Sequence, residues 1–492
     1  MLQKLAGQTA IYGISTIGVR LLNYLLTPYL TRILTTDQYG VYTDLYALIP
    51  FLLVLLTMGL ETGFFRFFGK AESPEERKNI FQTTWGAVFC SAMLFLVVIL
   101  CFNRPIAGVM GYGEYPSYIW LLGLIVALDV ITSVPFAKLR AENRAMRFVG
   151  IRFITVIVNI LLCVFFYSVL PQAGAFSDWW IPEYGAGYYL ISNVVASSVA
   201  LIGLYPAYKG CLPKIDPKVF KSMMLYSLPL LVAAIPGVAN EFIDRQFIKY
   251  LMPEDIALSS LGIYGAVTKL AVIMTLFVQM YRYAAEPFFL SNFKAEEFRR
   301  TNAETMKYFV IVSVVIFLGI TYFSDLLAYF IGKDFRQGMY ILPVVLLSNV
   351  LAGIVLNLSF WYKHSGMTRF AIVITGVGFI ITILLNLALI PRIGYVGAAW
   401  ARFGCELFMV IISYLLCRKY FPIPYNLKRI GLYFGVGACL YGAGILCNVY
   451  LPRLVSIVLD IILIIGFCIF VVRTEKIDVK AMINTLRKDK NR

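Results

Sequence analysis

Residues 370–417 read FAIVITGVGFIITILLNLALIPRIGYVGAAWARFGCELFMVIISYLLC, which is two long apolar runs joined by the short segment Pro391–Tyr395. An α-helix needs roughly 20 apolar residues to cross a hydrocarbon core about 30 Å thick. Each run meets that length, and only a helix or a closed barrel satisfies its own backbone hydrogen bonds in lipid. This stretch therefore predicts two consecutive membrane-spanning helices.

The same pattern extends over the whole chain. Fourteen apolar runs lie between about residues 9 and 472, and the pair above is the eleventh and twelfth. With 60% hydrophobic and only 14% charged residues among 492, the chain lacks the charged surface of a soluble domain. The sequence predicts an all-α polytopic membrane protein with about 14 transmembrane helices.

Charge placement predicts the orientation of these helices. Most of the 43 Lys and Arg residues lie near the N-terminus, in loops after even-numbered spans and in the C-terminal segment. Because basic residues near span ends resist translocation, we expect both termini to be cytoplasmic. Topology and contact with anionic membrane lipids then explain the net charge of +16. The basic loops lack the aromatic interleaving of nucleic-acid modules, so no nucleic-acid partner is expected.

The sequence carries no signature of an enzyme or a metal site. It has no Gly-rich loop ending in Lys-Ser or Lys-Thr, no zinc-type His pair and no nucleophile elbow. Its nine cysteines form no CxxC pair, and the single histidine, His364, falls in a predicted loop. A membrane-embedded glycosyltransferase or O-antigen ligase is the enzyme alternative, but it would want a larger outer loop than about residues 171–184. We expect no enzymatic activity and no cofactor.

Two short motifs recur along the chain. An Ile-Pro followed by Gly-rich sequence occurs at Ile181–Gly187 and again at Ile390–Gly397, beside spans 5 and 11. The run Tyr39–Tyr42 at the head of span 2 is matched by Leu261–Tyr264 at the head of span 8. Both pairs differ by six spans, and an even offset keeps direction through the membrane, so the halves are predicted to be parallel repeats. In span 13, Gly431 and Gly435 have the GxxxG spacing that predicts close packing, most simply against span 14.

The run Asn386–Ala401 (NLALIPRIGYVGAAWA) resembles the span 11 to 12 motif of the multidrug/oligosaccharidyl-lipid/polysaccharide exporter superfamily. The segments Thr27–Arg32, Tyr39–Tyr42 and Gly59–Phe67 resemble its polysaccharide-biosynthesis branch, the Wzx-type oligosaccharide flippases. The resemblance covers essentially the whole chain. It implies an N-lobe at residues 1–208 (spans 1–6), a C-lobe at 209–420 (spans 7–12), a helix pair at 421–473 (spans 13 and 14) and a basic cytoplasmic tail at 474–492.

The function that the resemblance implies is translocation of undecaprenyl-diphosphate-linked oligosaccharide across a bacterial inner membrane by alternating access, for O-antigen, capsule or exopolysaccharide synthesis. Implied partners are the lipid-linked oligosaccharide, membrane lipids, a polysaccharide polymerase and glycosyltransferases. A drug/cation antiporter of the multidrug and toxic-compound extrusion (MATE) family is the alternative, and a lipid II flippase is a second one.

Charged and polar residues inside the spans are the candidate site, because a charge at mid-membrane costs about 2.5 to 3.5 kcal/mol and must face protein or water. Basic residues there would suit a diphosphate, or else form structural ion pairs such as Arg20 with Asp129 or Arg282 with Glu286. The substrate-binding candidates are Arg20, Lys269, Arg282 and Arg66. The candidates for a coupling H⁺ or Na⁺ are Asp44, Glu61, Asp129 and Asn386, with structural carboxylate pairs as the simpler reading.

Overall fold

The structure is a computed structural model, and it describes residue 18 and residues 21–289 and 295–476. This part of the chain is almost entirely helical and contains no β-strand, which confirms the all-α class. The helices are α1 (21–33), α2 (Thr36–Thr57), α3 (Leu60–Lys70), α4 (Pro74–Cys101), α5 (Asn103–Val109), α6 (Ser117–Ala141), α7 (Ala145–Val164), α8 (Ala186–Gly203), α9 (Tyr205–Tyr208), α10 (Pro217–Leu251), α11 (Glu254–Leu270), α12 (Val272–Phe289), α13 (Ala295–Tyr322), α14 (Ser324–Ala328), α15 (Leu342–His364), α16 (Arg369–Ile393), α17 (Tyr395–Tyr420), α18 (Leu427–Tyr450) and α19 (Arg453–Thr474).

Membrane spans predicted from the apolar runs correspond to these helices. Within the described residues, 12 helices are long and apolar enough to cross a membrane, and the interrupted pair α11 and α12 makes 13 if it counts as one span. They match predicted spans 2 to 14 in order. The first predicted span begins among residues 1–17, which lie outside the described residues.

Predicted span 2 is divided between two helices, α2 and α3. Helix α2 starts with a capping box, in which Gln38 N donates to the Thr35 hydroxyl and Thr35 N donates to the Gln38 side chain. It ends at Met58 and Gly59, which have φ values of 53° and 66°. Two successive left-handed residues cannot continue a right-handed helix. The apolar run that was predicted as span 2 therefore forms two helices, α2 and α3.

Contacts divide the chain into two compact units. The first contains Met1–Lys269, Gly332–Phe335 and Thr375–Ala401, and the second contains Leu270–Ile331, Arg336–Ile374 and Arg402–Arg492. The lobe boundaries at residues 208 and 420 are not decided by this division and stay predictions. In the first unit, the largely buried helix α6 lies at the centre and packs against α2, α3, α4 and α8.

Helices α2 and α11, both in the first unit, approach each other closely through two glycines. A Cβ added to Gly40 would lie 2.7 Å from the carbonyl carbon of Leu258, and one added to Gly262 would lie 3.0 Å from the carbonyl carbon of Thr36. Gly40 thus contacts the backbone of Leu258, four residues before Gly262, and Gly262 contacts the backbone of Thr36, four residues before Gly40. These are the residues of the repeated motifs, and a reciprocal contact of this kind is what a twofold-related pair of repeats predicts.

In the second unit, α13 packs against α15, α18 and α19, and α18 packs against α19. The close contacts of α18 use Gly437, beside Val314, and Gly444, beside Tyr322, and both partners lie on α13. A Cβ on Gly431 or Gly435 would meet no atom within 4 Å among the described residues. Gly431 and Gly435 therefore make no close helix contact within the described residues, whereas α18 does pack against α19, as predicted for spans 13 and 14.

Candidate functional site

Lys269 lies near the end of α11, on the side that faces α2. Its ammonium group donates hydrogen bonds to the hydroxyls of Tyr39 (2.9 Å) and Tyr42 (2.8 Å). The same Nζ lies 4.3 Å from the centroid of the Tyr42 ring, within the range of a cation–π interaction. No carboxylate of the described residues forms an ion pair with it. Lys269 is thus a half-buried cation held by neutral groups.

A cavity of about 180 Å³ opens beside Lys269 between α2, α10 and α11. Two cationic side chains, Lys269 and Arg245, line it together with one carboxylate, Glu241. The other lining residues are Tyr42, Thr43, Tyr46, Ala47, Pro50, Val238, Phe242, Gly265 and Thr268. We call it the Lys269 cavity. Its formal charge is positive, so it favours an anion over a cation.

Arg245 does not neutralise the nearby carboxylate in the way its spacing suggests. Glu241 and Arg245 are four residues apart on α10, where an ion pair would be ordinary. The guanidinium instead donates to the backbone carbonyl of Glu241 at 2.9 Å. Neither side chain has an ion-pair partner within the part of the chain that the structure describes. Both charges are therefore available to whatever enters the cavity.

Three tyrosine rings form one wall of this region. The ring centroids of Tyr42 and Tyr46 are 4.8 Å apart, and both rings meet Tyr189 of α8 edge to face, at 4.7 and 5.1 Å. Such contacts hold the rings in place while leaving their hydroxyls able to bond. The buried hydroxyl of Tyr46 has no hydrogen-bond partner among the described residues. It is a buried donor beside the cavity with no acceptor among the described residues.

Asp44 is buried deeper in the same unit and is fully occupied. It forms an ion pair with Lys249 of α10 and accepts hydrogen bonds from Gln246 Nε2 (2.6 Å) and the Tyr112 hydroxyl (2.5 Å). Burial and the nearby carboxylate raise the pKa of Tyr112 well above its ordinary value, so this hydroxyl stays a donor. Asp44 therefore joins α2, α10 and the segment before α6. Its geometry is that of a structural anchor.

The other coupling-ion candidates have different surroundings. Glu61 forms an ion pair with Arg140. Asp129 accepts a hydrogen bond from the Ser197 hydroxyl at 2.9 Å and has no ion-pair partner among the described residues. Asn386 is fully buried and donates to the Thr382 carbonyl, while its own amide oxygen has no partner there. The coupling role of all four stays a prediction.

The remaining predicted cations do not line the Lys269 cavity. Arg66 stacks over the Tyr226 ring, with its guanidinium carbon 4.1 Å from the ring centroid. Arg282 forms the expected local ion pair with Glu286 at 3.5 Å, and Glu286 also binds Lys363 at 2.7 Å. Arg20, and with it the Arg20–Asp129 pairing, lies outside the described residues. Sequence reasoning missed Arg245 as a lining residue, although its depth in span 7 was a usable signal.

Three solved structures have a fold similar to that of this chain. The lipid II flippase MurJ, in an inward closed conformation, aligns with a TM-score of 0.72 at 13% identity, over 95% of this chain and 100% of that one. An inward-facing multidrug resistance MATE family transporter of the MOP superfamily aligns with a TM-score of 0.62 at 13% identity, over 87% and 96%. The MATE multidrug transporter DinF-BH aligns with a TM-score of 0.58 at 14% identity, over 85% and 96%.

These likenesses place the chain among multi-pass membrane proteins with the fold of MurJ and the MATE transporters. Residues 5–293 match the family model described as polysaccharide biosynthesis protein, which is more than half of the chain. The chain belongs to that family, and the superfamily resemblance of its motifs is confirmed. A comparison with curated proteins gave no match.

Proposed function

We propose that this protein flips a lipid-linked oligosaccharide, carried on undecaprenyl diphosphate, from the cytoplasmic to the outer face of a bacterial inner membrane. The observation that carries the proposal is Lys269: a cation on a membrane helix, bound to two tyrosine hydroxyls rather than to a carboxylate, at the edge of a positively charged cavity. The family match and the MurJ-like fold support the same function.

The chemistry of the cargo fits the residues of the cavity. A diphosphate needs cationic donors in a low-dielectric site, where such contacts are stronger than in water. Lys269 and Arg245 supply them. Sugar hydroxyls need donors and acceptors as well as flat apolar faces, and Tyr42 and Tyr46 offer both. The polyprenyl tail is apolar and never has to leave the lipid.

A drug/cation antiporter is less well supported by this geometry. A cationic drug entering the Lys269 cavity would meet two like charges and a single carboxylate, Glu241. Like charges at close range disfavour binding. The MATE alternative therefore requires a cargo site elsewhere in the molecule, and the lipid II alternative differs in the headgroup that the lipid diphosphate carries.

The proposal has further parts, which rest on the family resemblance and on the placement of charges along the sequence. Transport proceeds by alternating access with both termini in the cytoplasm, and a polymerase and glycosyltransferases act on the same lipid-linked glycan. For the coupling H⁺ or Na⁺ we favour Asp129 and Asn386, because the described structure gives their oxygens no cationic partner. Asp44 and Glu61 already have one.

The test is replacement of Lys269 in a strain from which the gene has been deleted. Loss of one charge-assisted contact is expected to lower glycan export about 10- to 100-fold in Lys269→Ala. Lys269→Arg keeps the charge but changes the donor geometry, so it should retain partial export. Lys419→Ala, at an exposed position on α17, is the control. Export measured as surface glycan should fall while lipid-linked repeat units accumulate on the cytoplasmic face.

Two results would contradict the proposal. One is normal export by Lys269→Ala at a membrane level equal to that of the unmodified protein. The other is a deletion strain with normal glycan but greater sensitivity to cationic dyes or drugs, which would favour the antiporter.

A further inference from the structure

A second cavity of the first unit shares no lining residue with the Lys269 cavity. Its volume is about 520 Å³. It is formed where the loops after predicted spans 2, 4 and 6 come together. These correspond to the loop between α3 and α4, the end of α6, and the segment after α9. We call it the basic-loop pocket. These loops carry the excess of Lys and Arg that predicts the cytoplasmic face.

The lining of the basic-loop pocket is strongly cationic. Arg77 and Lys78 of α4, Lys138 of α6 and Lys209 after α9 all line it. Glu142 is the single carboxylate, and Arg144 already binds it at 3.0 Å, while its distance to Lys138 is 4.0 Å. The pocket therefore keeps an excess of positive charge that its own lining residues do not neutralise.

One of these cations is held in a fixed position at the floor of the pocket. Lys138 donates to the backbone carbonyl of Ala207 at 2.7 Å, and its Nζ lies 4.3 Å from the centroid of the Phe81 ring. Its side chain is only 19% exposed. Phe68 and Phe81 supply an apolar floor beside it. An ammonium group held by a carbonyl and one aromatic ring in this way needs little reorganisation to bind an anion.

We infer that the basic-loop pocket binds the phosphate headgroup of an anionic membrane lipid from the leaflet that faces the basic loops. Arg77, Lys78 and Lys209 contact the phosphate oxygens, with Lys138 beneath them, and the apolar floor accommodates the glycerol and the start of the acyl chains. A basic pocket between membrane helices on this side suits a lipid headgroup, which is already concentrated there.

The test uses the purified full-length chain in nanodiscs that contain phosphatidylglycerol and phosphatidylcholine. Bound phosphatidylglycerol is counted by native mass spectrometry. The variant Arg77→Gln/Lys78→Gln/Lys209→Gln removes three exposed charges and leaves the half-buried Lys138 in place. We expect it to weaken phosphatidylglycerol binding about tenfold or more. The matched control, Arg418→Gln/Lys419→Gln/Lys428→Gln, removes the same charge from exposed positions in another basic loop and should change binding less than about twofold.

A second measurement shows that the pocket is still formed in the variant. The half-buried thiol of Cys211 lines the pocket. Its labelling by a water-soluble maleimide, located by peptide mass spectrometry, should slow when phosphatidylglycerol replaces phosphatidylcholine. In the triple variant this lipid dependence should disappear, while the rate in phosphatidylcholine stays that of the unmodified protein.

Three outcomes would overturn the inference. If the triple variant and its control lose phosphatidylglycerol binding equally, the lipid is attracted by diffuse surface charge and not by the pocket. If neither variant changes binding, the pocket does not bind the headgroup. Displacement of phosphatidylglycerol by inorganic phosphate at a comparable concentration would mean a site for a soluble phosphate compound. Because the measurement is lipid binding and not glycan export, its result is independent of the proposed function.

Discussion

Replacing Gly40 with alanine should separate the two helices that carry the Lys269 cavity. The added Cβ would lie 2.7 Å from the Leu258 carbonyl carbon and nearer still to its oxygen, whereas ordinary contact begins at 3.4 Å. These atoms are backbone and cannot rotate away, so α2 and α11 must move apart by at least about 0.7 Å at this point. Overpacking of this kind costs about 1 to 3 kcal/mol.

The same displacement should reach the cavity. Lys269 on α11 bonds to Tyr39 and Tyr42 on α2 at 2.9 and 2.8 Å, and a shift of that size stretches both bonds towards the limit of about 3.5 Å. Gly262→Ala should act alike, because its Cβ would lie 3.0 Å from Gly40 N. The double variant should cost less than the sum of the two single variants, because the helices need to part only once.

The assay is thermal unfolding of the purified chain in detergent, followed by helical circular dichroism. Gly435→Ala is the matched control, because its Cβ meets no described atom within 4 Å. Alanine is the better helix former by up to about 1 kcal/mol, so this variant should be as stable as the unmodified protein or slightly more stable. The reasoning is refuted if Gly40→Ala and Gly262→Ala unfold at the temperature of Gly435→Ala.

Two further predictions concern buried charges. Asp44→Ala should destabilise the protein by about 3 to 5 kcal/mol in the same unfolding assay, because Lys249 is left buried without its partner. The double variant Asp44→Ala/Lys249→Met should recover part of the lost stability. A double variant as unstable as Asp44→Ala would contradict this prediction. For Glu475, burial raises the pKa, but hydrogen bonds from Lys307, Tyr433 and Arg429 outweigh it and lower the pKa from 4.5 to about 2. A lowered pKa stabilises the folded state above pH 4.5, and that stabilisation, on the order of 1 kcal/mol once solvent screening is counted, is lost as the pH falls from 4.5 towards 2. Glu475→Gln should flatten stability over that pH range, and a profile identical to that of the unmodified protein would disprove the assignment.

The spans could be predicted from sequence because lipid imposes a length and an apolar composition on every helix that crosses it. The cation Lys269 was identifiable for the same reason, since an unexplained charge in an apolar run is conspicuous. Its partners were not, because Tyr39 and Tyr42 lie more than two hundred residues away along the chain. No local pattern carries that information.

Other details depended on three-dimensional neighbours in the same way. The ion pair between Asp44 and Lys249 could not be predicted from the sequence, because the two residues lie 205 positions apart. The GxxxG spacing at Gly431 and Gly435 predicted close packing, but the contact is made by Gly437 and Gly444 instead. Spacing shows which residues share a helix face. It does not show whether another helix lies against that face.

The hydrogen bonds of Lys269 have a consequence for the rates at which an anion would bind and leave the proposed site. An ammonium ion that rests on two neutral phenols is solvated but not neutralised, so an arriving oxyanion replaces weak acceptors and no ion pair has to be broken first. When the oxyanion leaves, the phenols take up the same donors again. Because the amine exchanges one set of acceptors for another, the anion is not bound too tightly to leave, and the ammonium group is never without hydrogen-bond acceptors. A transporter that binds and releases its substrate in every cycle needs both properties.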